Sequence, residues 1–269
     1  MKRKKTTNYL ALIALTLFIG ALFYAIYQLI LWKTDSSNID KQTELIESMA
    51  GYREESSDSS AGHNPPTDSN DPYWSYIKIP FIQVNISELK KINPDTKGWI
   101  KVENTNINYP FVQNNDNDYY LTHAYNKRRN QAGWIFADYR NNFENLGDNT
   151  ILYGHGRVGG KMFGTLKNVL SPSWYTSTGN HVVRMATESS SSLWQVFSIY
   201  RINETNDYLQ TFIPSASEHQ LFLSTIKDRS IKDFDVALTT EDKVLTLSSC
   251  LNEKERIVLH AKLIKIFEN

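Results

Sequence analysis

Lys243-Val244-Leu245-Thr246-Leu247-Ser248-Ser249-Cys250, then Leu251-Asn252-Glu253-Lys254-Glu255, then Arg256-Ile257-Val258-Leu259-His260-Ala261-Lys262-Leu263-Ile264-Lys265-Ile266-Phe267: two strand-like runs flank one polar turn. β-branched and aliphatic residues dominate both runs, and polar residues alternate into them as in half-buried strands. Two adjacent strands joined by so short a turn bring Arg256 back toward Cys250.

Upstream the pattern repeats. Trp99–Val102, Ile107–Val112, Trp134–Phe136, Thr150–Tyr153, His181–Ala186 and Leu193–Ile202 also read as strands. Helical stretches are few: Ile86–Ile92, ended by Asn93-Pro94, then Met162–Leu170, and Ser215–Lys227 behind a capping-box spacing at Ser215 and Glu218. About eight strands with few helices predict a mainly β domain, a closed or nearly closed barrel, over residues 72–269. That region is near-neutral, with 20 acidic residues against 22 Lys and Arg.

The first 71 residues differ in kind. Residues 1–8 form a basic tail opening with Lys2-Arg3-Lys4-Lys5. Residues 9–32 are apolar, and as a helix they extend roughly 36 Å, enough to cross a hydrocarbon core of about 30 Å. No Ala-x-Ala follows, so a retained, single-pass anchor is expected rather than a cleaved leader. Basic residues before it predict a cytoplasmic N-terminus and an extracellular domain. Residues 33–71 carry nine acidic residues against Lys33, Lys41 and Arg53 and include a Ser-rich run from Ser56. They are expected to be a flexible tether. Asp40–Tyr52 reads equally as disordered or as a short helix with Leu45, Ile46 and Met49 on one side.

Composition limits the chemistry. The whole chain of 269 residues has zero formal net charge, which argues against a nucleic-acid partner. One cysteine excludes an intramolecular disulfide and a multi-cysteine metal site, and no cofactor or metal is expected. A lone cysteine is commonly a small buried hydrophobe. Cys250, however, lies at a strand end facing a turn, where functional groups gather. A thiolate nucleophile needs a base beside it. Of the six histidines, His63 falls in the tether, while His181 and His219 read as surface. His155 ends a strand between Gly154 and Gly156, which would let the chain turn and leave the ring accessible. His123 and His260 are rivals that read as ordinary loop and sheet residues. Arg256 is the one arginine after Cys250 and could stabilise an oxyanion; its bland reading is an exposed strand-edge arginine.

Thr246-Leu247-Ser248-Ser249-Cys250 with Arg256-Ile257-Val258, and Tyr153-Gly154-His155 upstream, resembles a sortase, most of all a class B sortase. Further matches are Gly98-Trp99-Ile100, Asn108-Tyr109-Pro110, Asp116-Asn117 with Tyr120-Leu121, Gly133-Trp134-Ile135-Phe136 and Met162-Phe163-Gly164. The similarity extends over roughly residues 86–266. The chain departs from the pattern at Gly156, where asparagine is usual, at Ser249, where threonine is usual, and in a short interval from Cys250 to Arg256.

The resemblance implies a membrane-anchored cysteine transpeptidase of a Gram-positive-type envelope, with a monomeric catalytic domain. It would cleave a C-terminal sorting signal of exported proteins after a threonine and form a thioacyl-enzyme. It would then transfer the protein to a peptidoglycan cross-bridge amine, or, as the pilin-polymerising alternative, to a pilin lysine. By the same resemblance Cys250 is the nucleophile, His155 the acid/base and Arg256 the oxyanion group, while Asn117, Leu121, Tyr153 and Ser248 line the signal-peptide groove. A reading from another class is a non-enzymatic anchored ectodomain with a buried cysteine.

Overall fold

The computed structural model describes residues 3–55, 62–156, 159–250 and 254–269. Eight strands close a barrel. Among the described residues the ten strands are, in chain order, β1 (Arg53–Glu55), β2 (Phe81–Gln83), β3 (Thr96–Val102), β4 (Asn108–Val112), β5 (Phe136–Ala137), β6 (Asn149–His155), β7 (Val182–Thr187), β8 (Ser190–Asn203), β9 (Val244–Cys250) and β10 (Glu255–Glu268). The barrel runs β10-β8-β7-β3-β4-β5-β6-β9, and β1 pairs with β2 outside it. Closure leaves the barrel without an unpaired edge. Two neighbouring pairs are parallel, β4 with β5 and β6 with β9; the other barrel pairs are antiparallel.

The expected strands are these eight, with shifted ends. β5 is the shortest. Trp134 and Ile135, read as strand, are held in loop conformation because Trp134 N–H donates to Tyr120 O and its indole to Pro110 O. The expected helix Met162–Leu170 narrows to a 3-10 turn at Leu166–Leu170, since Met162 takes a left-handed φ of 53° and bridges back to Gly156. The Ile86–Ile92 helix stands as read, capped by Asn85. The later helix spans Ala216–Asp228, with Ser215 accepting from Glu218 N–H.

The segment expected as a tether is built differently over its first half. One helix, α1, runs unbroken from Arg3 to Ala50. Its apolar part is exposed, whereas Ile39, Ile46 and Ala50 are at most 1 % exposed against the barrel, with Met49 packed beside them. Spacings of seven and four put these on one helical face. Leu45, expected on that face, points outward and is 50 % exposed. Beyond α1, Glu54 on β1 pairs with Lys101 and with Arg184, whose guanidinium holds the Glu54 carboxyl down to about 2. Further on, His63 N–H donates to Ile264 O and Asn64 donates to Asp242. The low hydrophobicity of 33–55 hid this, because three aliphatic contacts and a charge cluster suffice to hold it. The serine-rich part of the expected tether, 56–61, lies outside the described residues.

Candidate active site

The parallel pairing of β6 with β9 sets Tyr153 opposite Ser248, Gly154 opposite Ser249 and His155 opposite Cys250. The antiparallel pairing of β9 with β10 sets Cys250 opposite Arg256. His155, Cys250 and Arg256 therefore occupy one rung of three adjacent strands, spaced about 4.8 Å apart in the hydrogen-bonding direction. They are 95 and six positions apart in sequence, and only barrel closure brings all three together.

His155 is half-buried, and its Nε2 lies 2.8 Å from Leu121 O. A carbonyl can only accept, so Nε2 carries the hydrogen and Nδ1 is the proton-accepting position of the neutral ring. The ring rests on Gly133, whose φ is +59°; a Cβ there would meet Tyr120 O at 2.4 Å and the His155 Cδ2 at 3.1 Å. Gly154 does not turn the chain, as its sequence position suggested. It stays in β6, and its missing Cβ lets the Phe163 ring approach, with a Cβ there falling 2.8 Å from Cγ. Phe163 N–H then donates to His155 O.

The other histidines separate from the site. His260 is fully buried and accepts from Tyr200 OH at Nε2, while burial depresses its pKa to about 3. His123 stacks on Tyr119 with ring centres 4.0 Å apart. His181 and His219, read as surface, are buried: His181 packs against Trp174 and Phe234 and His219 against Phe222. Amphipathic context at a strand start and a helix hid this.

A groove of about 340 Å³ opens beside the rung. Asn117, Leu121, Tyr153, Ser248 and Arg256 all line it, so the structure brings together every expected groove residue and the arginine. The Arg256 side chain is only 16 % exposed, and its guanidinium pairs with Glu204 at 2.7 Å on the groove rim. Sequence reasoning missed the opposite wall, formed by Glu204 to Asn206 with Tyr208 and Leu209. Tyr208 OH lies 3.0 Å from Ser248 Oγ.

It also missed Asp138, which organises the groove from below. This carboxylate is fully buried and accepts from Arg140 Nε and Nη2, Arg140 N–H, Asn117 Nδ2 and Tyr153 OH. Burial alone would raise its pKa; the Arg140 hydrogen bonds outweigh that and hold it below the ordinary carboxylate range. Burial, then the Asp138 charge, push the Tyr153 phenol well up, so it stays a donor. Arg140 also donates to Leu209 O, tying the far wall to the same hub. The available sequence signal was Asp-Tyr-Arg directly after an apolar run, which alone does not tell a buried hub from a surface turn.

A second buried chain supports that wall. Asn149 Nδ2 donates to Tyr208 O and Gln210 O, so its Oδ1 accepts from Thr246 Oγ1. The threonine oxygen must then accept from His260 Nδ1–H, 2.9 Å away. Every hydrogen in this chain has one direction, and it ends on Tyr208 O in the groove wall and on Gln210 O just beyond it.

Residues 100–264 match the sortase domain family. Sortase B of Staphylococcus aureus (strain NCTC 8325 / PS 47) is 34 % identical over 189 residues, 69 % of this chain and 77 % of that protein. Sortase B of Listeria monocytogenes serovar 1/2a is 33 % identical, over 68 % and 75 % of the two chains. Among solved structures, a Staphylococcus aureus sortase B–substrate complex superposes with a TM-score of 0.63 at 35 % identity, covering 67 % of this chain and 84 % of that one. A Bacillus anthracis protein described as similar to sortase B reaches 0.67 at 31 %, covering 88 % and 98 %. With a closed barrel that aligns His155, Cys250 and Arg256 at the end of one groove, the chain belongs to the sortase family of cysteine transpeptidases.

Proposed function

We propose that this sortase is held in the membrane by residues 9–32 and cleaves a C-terminal sorting signal of exported proteins after a threonine. The product would pass to a peptidoglycan cross-bridge amine. The observation that carries the reading is the shared rung of His155, Cys250 and Arg256, closing a groove lined by Asn117, Leu121, Tyr153 and Ser248. One relative was solved with its substrate and a sortase B with triglycine, an amine-ended glycine peptide of the kind an acceptor strand presents. The helix Tyr9–Ala50 contains a stretch apolar enough to span a bilayer, and the envelope enzymes of the family act outside it.

In this reading the Cys250 thiol first gives its proton to His155 Nδ1, and the resulting thiolate attacks the carbonyl carbon of the threonine. Arg256 faces the oxygen as it gains charge. The C–N bond breaks, and the leaving amine takes a proton from His155 Nδ1. The acceptor amine then attacks the thioester, returns a proton to Nδ1 and releases the thiolate. Splitting one amide exchange into two acyl transfers lowers both barriers. Leu121 O holds the ring by Nε2–H through both steps.

The test is mass spectrometry of the full chain in detergent with a library of threonine-containing signal peptides, with and without triglycine. A covalent adduct at Cys250, and a product joined to triglycine at threonine, are expected; Cys250→Ala should give neither. Cleavage that persists in Cys250→Ala, or an adduct at another residue, would overturn the assignment.

A further inference from the structure

We propose that the cleft between α1 and the 126–130 loop binds the phosphate headgroup of an anionic membrane lipid. The proposal rests on residues 9–32 spanning the bilayer. Because α1 is continuous, the barrel begins to grip it just past Trp32. Asp35 accepts from Asn130 Nδ2 and Gln131 N–H, and Ser36 accepts from Lys161. Seven residues on, Gln42 accepts from Asn126 N–H. The loop therefore lies along the helix with its 130–131 end lowest, toward the bilayer.

Lys41, Arg128, Arg129, Asn38, Asn126 and Asn130 line the cleft, whose volume is about 170 Å³. Of the nearby carboxylates, Asp40 pairs with Lys161 and Asp95 with Lys127, while Asp35, at the lower end beside Asn130, accepts from Gln131 N–H. Among the described residues, Lys41, Arg128 and Arg129 are exposed and make no ion pair. Three cations without an ion pair thus line the cleft beside three amide side chains, and they outnumber the one carboxylate at its lower end, Asp35. Asn38 is six residues beyond Trp32, about 9 Å along the helix. The headgroup layer reaches about 5–8 Å past the hydrocarbon edge. Arginine side chains close the remaining gap, and their planar forks fit phosphate oxygens in pairs. The floor of the cleft is the helix leaving the bilayer, so a lipid phosphate is the anion held nearest to it.

Such binding would fix the pose of the barrel on the membrane. Lys161 and Gln131, which grip α1, flank the two segments against His155, namely Phe163 and Gly133. The active-site mouth would then be held at a set height.

The test is hydrogen–deuterium exchange of the full chain in nanodiscs of phosphatidylcholine or of its equal mixture with phosphatidylglycerol. Amides of 124–131 should exchange at least about fivefold more slowly in the mixed discs, a factor expected for each basic side chain at an anionic surface. Arg128→Glu with Arg129→Glu should abolish the slowing. Arg128→Gln with Arg129→Gln repeats the comparison if charge reversal disturbs the loop, which unchanged exchange in the barrel strands would exclude. Residues 9–32 must be protected in both discs; rapid exchange there would overturn the membrane span, and this proposal with it. Protected 9–32 with equal rates at 124–131 would overturn the lipid site alone. Slowing that survives in the variants, or that inorganic phosphate reproduces in phosphatidylcholine discs, would also overturn it.

Discussion

Arg256 faces Cys250 across one rung and pairs with Glu204 at the groove rim. Two roles are separable by kinetics. An oxyanion donor acts as charge develops, so Arg256→Ala should lower kcat and kcat/KM together, by about 10²–10³-fold in kcat. Arg256→Lys should recover little, since an ammonium lacks the planar fork. A rise in KM alone would make Arg256 a clamp on the signal peptide instead. His155→Ala should lose about 10²–10⁴-fold or more, because the ring moves protons and sets the thiolate fraction. His123→Ala, whose ring stacks on Tyr119 and bonds its backbone carbonyl, should keep near-normal turnover; loss there equal to that of His155→Ala would break the pairing with Cys250. At this scale the sequence was informative because reactive types were scarce: one thiol, one arginine after it and one histidine closing a strand. Asp138, Tyr208 and Glu204 carried no such scarcity. Acidic and tyrosine side chains are common, and what distinguishes these three is a neighbour distant in sequence.

Elements explain why those neighbours meet. The strands were legible from period-two apolar runs, but the loops that wall the groove have no period. Their shape comes from the Asp138 hub and from the Asn149–Thr246–His260 chain. Asp138→Asn keeps the volume but removes the charge that pairs with Arg140. Asn117, Tyr153 and Leu209 should then lose a common anchor, so KM for a signal peptide should rise more than kcat falls. Rescue by Asp138→Glu should be poor, as a longer arm displaces both walls. Equal kcat and KM in Asp138→Asn would show that the groove stands without the hub. His260 gives a pH signature. Its folded pKa of about 3 lies below the ordinary value near 6.5. Between these the unfolded chain binds the proton and the folded chain does not, so stability falls as pH drops from about 6.5 toward 3. His260→Gln should be less stable at neutral pH and show a shallower loss over that window. Thermal unfolding of both proteins from pH 7 to pH 4 measures it, and parallel slopes would exclude His260 as the source.

On the scale of the whole molecule, the division between anchor and catalytic domain is the feature the sequence concealed. Hydropathy marks the apolar stretch, and acidity then suggests a solvated linker. Yet α1 continues through it, and Ile39, Ile46 and Ala50 pack on the barrel while β1 pairs with β2. A pattern of three aliphatic residues among many acids is too sparse to read as an amphipathic helix until its partner surface is known. The boundary that matters for stability therefore lies near Thr34. A chain starting at residue 34 keeps the docked half of α1, and one starting at residue 72 loses it. Burying two isoleucine side chains contributes about 2 kcal/mol each, about 4 kcal/mol together. For a domain of this size that corresponds to a Tm lower by about 8–16 °C in the shorter chain. The shorter chain should also lose activity against a soluble signal peptide, because Asp35 and Ser36 no longer brace Gln131 and Lys161 beside the His155 segment. Differential scanning calorimetry and peptide cleavage on the two chains decide it. Equal Tm and equal kcat/KM would return residues 34–55 to the role of a passive connector.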